Sequence, residues 1–154
     1  MFLTVHATAG VIIGQATGNI WLGFLGGLIS HYLLDIIPHG DEILFKGRVA
    51  ITLRDKVKTF KIAFIDGLIM SGLLLILYWQ NLIPLTLPVL AGIAGSIFPD
   101  FLNGIYLLTQ HPWLKRCLMF HSNFHYLLKL KVSFPVGLII QLATLILFIL
   151  LLIK

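Results

Sequence analysis

Cysteine is nearly missing from this sequence. Cys117 is the single one among 154 residues, which excludes an internal disulfide and any multi-cysteine metal site. Charge is scarce too. Asp, Glu, Lys and Arg make up 11% of the chain, where a soluble domain carries roughly a quarter. What fills the chain instead is apolar, with 58% hydrophobic residues and a mean hydropathy of +1.00. Those values exclude an ordinary soluble domain and imply an all-α integral membrane protein. The length suits a single membrane-embedded domain over residues 1–154. Long linkers, low-complexity tracts and internal repeats are lacking as well. The N-terminal apolar run has no basic stretch before it and contains His6, so no cleavable signal peptide is expected.

The net charge of +5 does not point to nucleic acid, because the bases are grouped. Six of the eleven lie from Lys46 to Lys61 and four more from Lys115 to Lys131. Basic loops beside apolar runs mark the cytoplasmic side of a membrane protein. A spanning helix takes about 20 mainly apolar residues. Five runs qualify as expected spans: residues 2–18, 21–38, 62–80, 85–98 and 133–153. Turn signals separate them at Gly18-Asn19, Pro38-His39-Gly40 and Gln80-Asn81. Between the fourth and fifth, residues 103–131 read as an interfacial helical segment, with Tyr106, Trp113 and Tyr126 suited to the headgroup layer. If all five cross, both basic groups fall on one side. The N-terminus is then cytoplasmic and Lys154 lies opposite.

Into this apolar frame the sequence sets "GLISHYLLDIIPHGDE", residues 27–42, where His31, Asp35, His39 and Asp41 crowd together. His31 and Asp35 are four apart and share a helix face; His121 and His125 repeat that spacing. His6 opens the first span, Asp66 lies early in the third, and Asp100 follows Pro99 at the expected end of the fourth. All of these fall in one layer, within roughly 10 Å of the cytoplasmic boundary at the helical rise. Ionisable residues inside a bilayer cost several kcal/mol and are functional by default. Each has a local alternative: Asp66 could pair with Lys58 or Lys61, Asp100 could cap a helix over residues 101–108, and His39 is open between loop and site. Together they offer nitrogen and oxygen donors without sulfur. Such a donor set suits Zn²⁺, Mn²⁺ or Fe²⁺, as one or two ions.

"VHATAG", "SHYLLD", "PD" at a helix end and "FHSNFH" resemble the motifs of the small membrane-bound metal-dependent hydrolases of bacterial and archaeal inner membranes. "HYLLDIIPH" is also similar to a zinc-binding helix of the phospholipase C and P1 nuclease group. The resemblance implies an all-helical, metal-dependent hydrolase in a prokaryotic plasma membrane. It implies metal ligation by His31 and Asp35, and matches His6 and Asp100 to the family's N-terminal histidine and P-D aspartate. The motif order differs from the commonest family pattern, and the second aspartate of P-D-x-D is replaced in "PDFLNG". The expected function is hydrolysis of an ester or phosphoester, with a lipid of the inner leaflet as the natural substrate. Metal ligands are His6, His31, Asp35, Asp100, His121 and His125, with Asp66 or Asp41 as general base. The rival readings are a metal-ion or proton transporter using the same residues and a non-catalytic protein stapled by its polar cluster.

Overall fold

The computed structural model describes residues 1–40, 52–125 and 127–153. Its elements are α1 (Leu3–Thr17), α2 (Ile20–Asp35), α3 (Leu53–Trp79), α4 (Leu87–Thr109), α5 (Pro112–His125) and α6 (Phe134–Ile153). No strand occurs among the described residues. The all-helical expectation holds. Three helices, α3, α4 and α6, are long and apolar enough to cross a membrane. The first two expected spans correspond to helices of 15 and 16 residues. At 1.5 Å per residue these reach only about 22–24 Å, against a hydrocarbon core of about 30 Å.

Local chemistry explains the helix ends. Gly18 takes a left-handed conformation (φ 56°), and its N–H closes onto Gly14 O. Asn19 then starts α2, its side-chain oxygen accepting from Trp21 N at 2.9 Å and Leu22 N at 3.1 Å. A Thr52–Asp55 capping box opens α3. The fourth element departs from the expectation. It does not stop before Pro99 but runs through it to Thr109, so Asp100 is an internal helical residue and not a cap. Proline removes one backbone donor from a helix, which neighbouring helices offset in an apolar setting. Pro99 is buried, and the helix ends where Gln110 turns left-handed (φ 53°). The expected interfacial segment is thereby divided between the end of α4 and α5.

Helices α1, α2 and α4 form the centre. Small residues let them approach: a Cβ built on Gly10 would lie 2.7 Å from Ser96 Oγ, and one on Gly27 would lie 2.9 Å from Ser96 N. Residues from Thr4 through Val11 are all buried, so the first two turns of α1 are enclosed on every side. One end of the bundle is closed by an apolar cluster of Val11, Leu77, Ile83 and Val89. The outer faces of α2, α3 and α6 expose Leu25, Ile29, Leu33, Phe64, Leu68, Ile139 and Ile146, as a lipid-facing surface does. At the other end α1 begins and α2 finishes. There the backbone N–H of Phe2 donates to Gln141 Oε1 of α6 at 2.7 Å. Gly137 of α6 lies so close to the His39–Gly40 loop that a Cβ there would sit 2.7 Å from Gly40 N.

Candidate metal centre

Asp35 is the focus of the site. It is the last residue of α2 and 1% exposed, an expensive place for a carboxylate unless cations or donors surround it. Five imidazoles do so. Around Oδ1 stand His6 Nε2 at 3.2 Å and His39 Nε2 at 3.7 Å. Around Oδ2 stand His31 Nε2 at 3.2 Å, His121 Nε2 at 3.1 Å and His125 Nε2 at 3.3 Å. The Met1 ammonium also contacts Oδ1, and lies 2.8 Å from His39 Nε2. Asp100 closes the ring from α4, its Oδ1 4.0 Å from His31 Nε2 and 3.9 Å from His121 Nε2.

The helices aim these side chains. His31 and Asp35 follow one face of α2, and His121 and His125 one face of α5, because four residues make about one turn. The rings of His6 and His31 stack at 4.0 Å, and those of His121 and His125 at 4.7 Å. Tyr32 packs edge-on against His31 and Phe120 and tilted on Phe124, walling the ring on the α5 side.

Backbone carbonyls decide two of the tautomers. His31 Nδ1 lies 2.7 Å from Ser96 O, and His39 Nδ1 lies 2.6 Å from Ile37 O. A carbonyl only accepts, so each Nδ1 carries the proton and, in the neutral ring, each Nε2 presents a lone pair to Asp35. Lone pair and carboxylate then face each other at His31, an arrangement that either a proton on Nε2 or a bound cation relieves. The same pattern, with Nδ1–H held by the protein and Nε2 turned inward, is the habit of metal-ligating histidine. Several buried atoms have no hydrogen-bond partner among the described residues: both ring nitrogens of His6, His31 Nε2, Asp35 Oδ2 and His125 Nδ1. Each such orphan costs about 1–3 kcal/mol if left unmatched. A nitrogen and oxygen donor set with an unmatched interior fits a divalent cation. Three groups have their ligand atoms within 4.8 Å of one another: His6, His31 and Asp100; His31, Asp35 and His121; Asp35, His39 and His125.

All six expected ligands, His6, His31, Asp35, Asp100, His121 and His125, are therefore brought together. His39, open on the sequence, joins them. Asp66 does not. Its carboxylate accepts from Leu3 N at 2.5 Å and from Thr4 Oγ1 at 2.5 Å, so it satisfies the start of α1, and it belongs to none of the three groups. Neither lysine pairing nor a place on the ring describes it. Asp41 lies outside the described residues. Asn103 was not foreseen: its side-chain nitrogen lies 3.0 Å from His121 Nδ1. Turning the amide end for end presents Oδ1 to an Nδ1–H and frees Nε2 for the ring interior. The only signal in the sequence is its place four residues after Pro99, one turn on from Asp100. No protein-family model, curated protein or solved structure matches this chain.

Proposed function

We propose that this chain is a membrane-embedded, metal-dependent hydrolase of the prokaryotic plasma membrane, acting on an ester or phosphoester, with a membrane lipid as the substrate class. The observation that carries the reading is the unmatched Nε2 of His31 turned on a buried, unmatched Asp35 oxygen inside a ring of further imidazoles. Zinc is the cation best suited to these donors, with manganese and iron as alternatives. When bound there, it supplies Lewis acidity to a substrate oxygen or a water. The chain's own residues hold and orient it: His31 through Ser96 O, His39 through Ile37 O, His121 through Asn103. Asp100, 29% exposed, is the most open member of the ring and marks the side from which a substrate approaches.

The placement in the membrane belongs to the same proposal. The described bases Arg54, Lys56, Lys58 and Lys61 start α3, and Lys115 and Arg116 lie on α5, which covers the site. With these ends cytoplasmic, the N-terminus and the ring face the inner leaflet, and the bases attract anionic headgroups at about 1 kcal/mol each. An apolar cluster closing the opposite end of the bundle speaks against a continuous ion path.

The test uses the full chain in detergent, expressed with zinc or manganese supplied. Wild type should retain metal and hydrolyse anionic phospholipid or a chromogenic phosphodiester, and chelation should abolish the activity. His31→Ala and Asp35→Ala should lose both metal and activity. Metal without hydrolysis of any ester leaves a structural centre. No retained metal ends the reading and turns attention to proton movement through the same residues.

A further inference from the structure

We propose that the groove between the first turns of α3 and the end of α4 binds one anionic phospholipid, with its headgroup on Lys56 and Lys61 and its acyl chain along the apolar wall. The site is separate from the histidine ring and does not depend on a metal there.

Leu53, Lys56, Val57, Phe60, Lys61 and Phe64 line the groove from α3, and Leu108 lines it from α4. The α3 residues recur at intervals of three and four or close to it, so they form one face of the helix. The groove is open and holds about 550 Å³, within the range of about 300–1,000 Å³ that small-ligand sites occupy. Its walls are almost wholly apolar, yet two lysines belong to it, and among the described residues no acid does. The acids of α3 are used elsewhere. Asp55 forms the capping box with Thr52, and Asp66 accepts from Leu3 and Thr4 at the start of α1. The bases Arg54 and Lys58 lie in the same turns of α3 but do not line the groove.

Depth along α3 decides what such a groove meets. From Lys61 to Trp79 the helix rises about 27 Å, close to the hydrocarbon thickness of about 30 Å. Asp66 is the only charged residue between them, and Tyr78 and Trp79 stand exposed at the far end, where interfacial aromatics belong. Lys61 therefore sits at the opposite headgroup level, with Lys56 outside it and Phe64 just inside the hydrocarbon. A groove crossing that boundary matches a molecule that is anionic on the polar side and apolar below, and lysine stems lie readily along such a wall. A soluble anion has no use for the apolar part. A second copy of the chain, meeting this face about a two-fold axis, would set the same lysines against each other. An anionic lipid satisfies both parts.

The test is native mass spectrometry of the full chain in detergent, after delipidation and chelation, with phosphatidylglycerol and phosphatidylcholine of identical acyl chains titrated in. Chelation suppresses metal-dependent turnover, so failure here leaves the hydrolase reading untouched. Wild type should retain one phosphatidylglycerol and prefer it over phosphatidylcholine about tenfold. Lys56→Gln with Lys61→Gln should lose that preference. Arg54→Gln with Lys58→Gln removes the same charge outside the groove and should keep it. Equal losses in the two double variants would reduce the effect to diffuse surface charge and overturn the site, as would equal binding of both lipids by wild type. A doubled chain mass in place of the lipid adduct would assign the groove to a second copy and overturn it as well. All four bases are exposed or half-buried, so their substitution leaves the helices intact, which circular dichroism checks.

Discussion

His31 and Asp35 show how one turn of helix becomes a chemical demand. The carbonyl of Ser96 fixes a proton on His31 Nδ1, which in the neutral ring leaves Nε2 and the Asp35 carboxylate, 3.2 Å apart, both as acceptors. Removing the charge while keeping the shape should therefore matter greatly: Asp35→Asn is expected to release bound metal, read by elemental analysis, while retaining the helical circular dichroism. Asn103 acts at one remove. Outer partners of ligating histidines typically contribute 10–100-fold to metal affinity, so Asn103→Ala should weaken binding by about that factor. Asn103→Asp, whose carboxylate can only accept from an Nδ1–H, should restore it; competitive chelator titration measures both. Asp66 is the contrasting residue. Its carboxylate satisfies Leu3 and Thr4 at the start of α1, so Asp66→Ala should cost about 1 kcal/mol of stability, as the loss of a helix cap does. Metal content should not change. A loss of metal with unchanged thermal stability would contradict that placement.

At the scale of elements, the site depends on how closely α1, α2 and α4 cross. Gly10 and Gly27 both face Ser96, the residue whose carbonyl orients His31, so the crossing and the ligand geometry share one contact. Gly27→Ala should be overpacked at about 1–3 kcal/mol and should also weaken metal binding. Gly67 and Gly72 of α3 have nothing within 4 Å of an added Cβ. There Gly→Ala should be neutral or stabilising by up to about 1 kcal/mol, through helix propensity alone. Thermal unfolding in detergent separates the two classes. The helices themselves were legible in the sequence, because Gly18-Asn19 and the apolar runs carry local signals. The end of α4 was not. Pro99 suggests a stop when read locally, and only the helices packed around it offset the lost donor. The shortness of α1 is likewise a tertiary matter: from Thr4 to Val11 it is wrapped by neighbours and need not meet lipid there.

For the whole molecule, a cation held by the ring would be linked to stability. An ion that binds only the folded chain adds about 2.7 kcal/mol at a hundredfold excess over its dissociation constant, so chelation should lower the unfolding temperature and zinc should restore it. Sidedness can be read with single cysteines on a Cys117→Ala background. Lys56→Cys and Lys115→Cys should both react with an impermeant thiol reagent only from the cytoplasmic side. Labelling of the two from opposite sides would overturn the proposed orientation.

By itself the sequence determined the membrane-like helical class, the grouping of bases, and six of the residues that the structure gathers into one cluster, because composition and four-residue spacing are local properties that need no partner. It could not determine His39, which sits beyond Pro38 and reaches the ring only because Gly137 and Gln141 of α6 hold its loop in place. Nor could it separate Asp66 from the other acids, since depth along a helix looks the same whether a carboxylate faces the histidine ring or the start of α1. Those choices depend on direction across helices far apart in the chain. Direction is decided only when the helices close on one another.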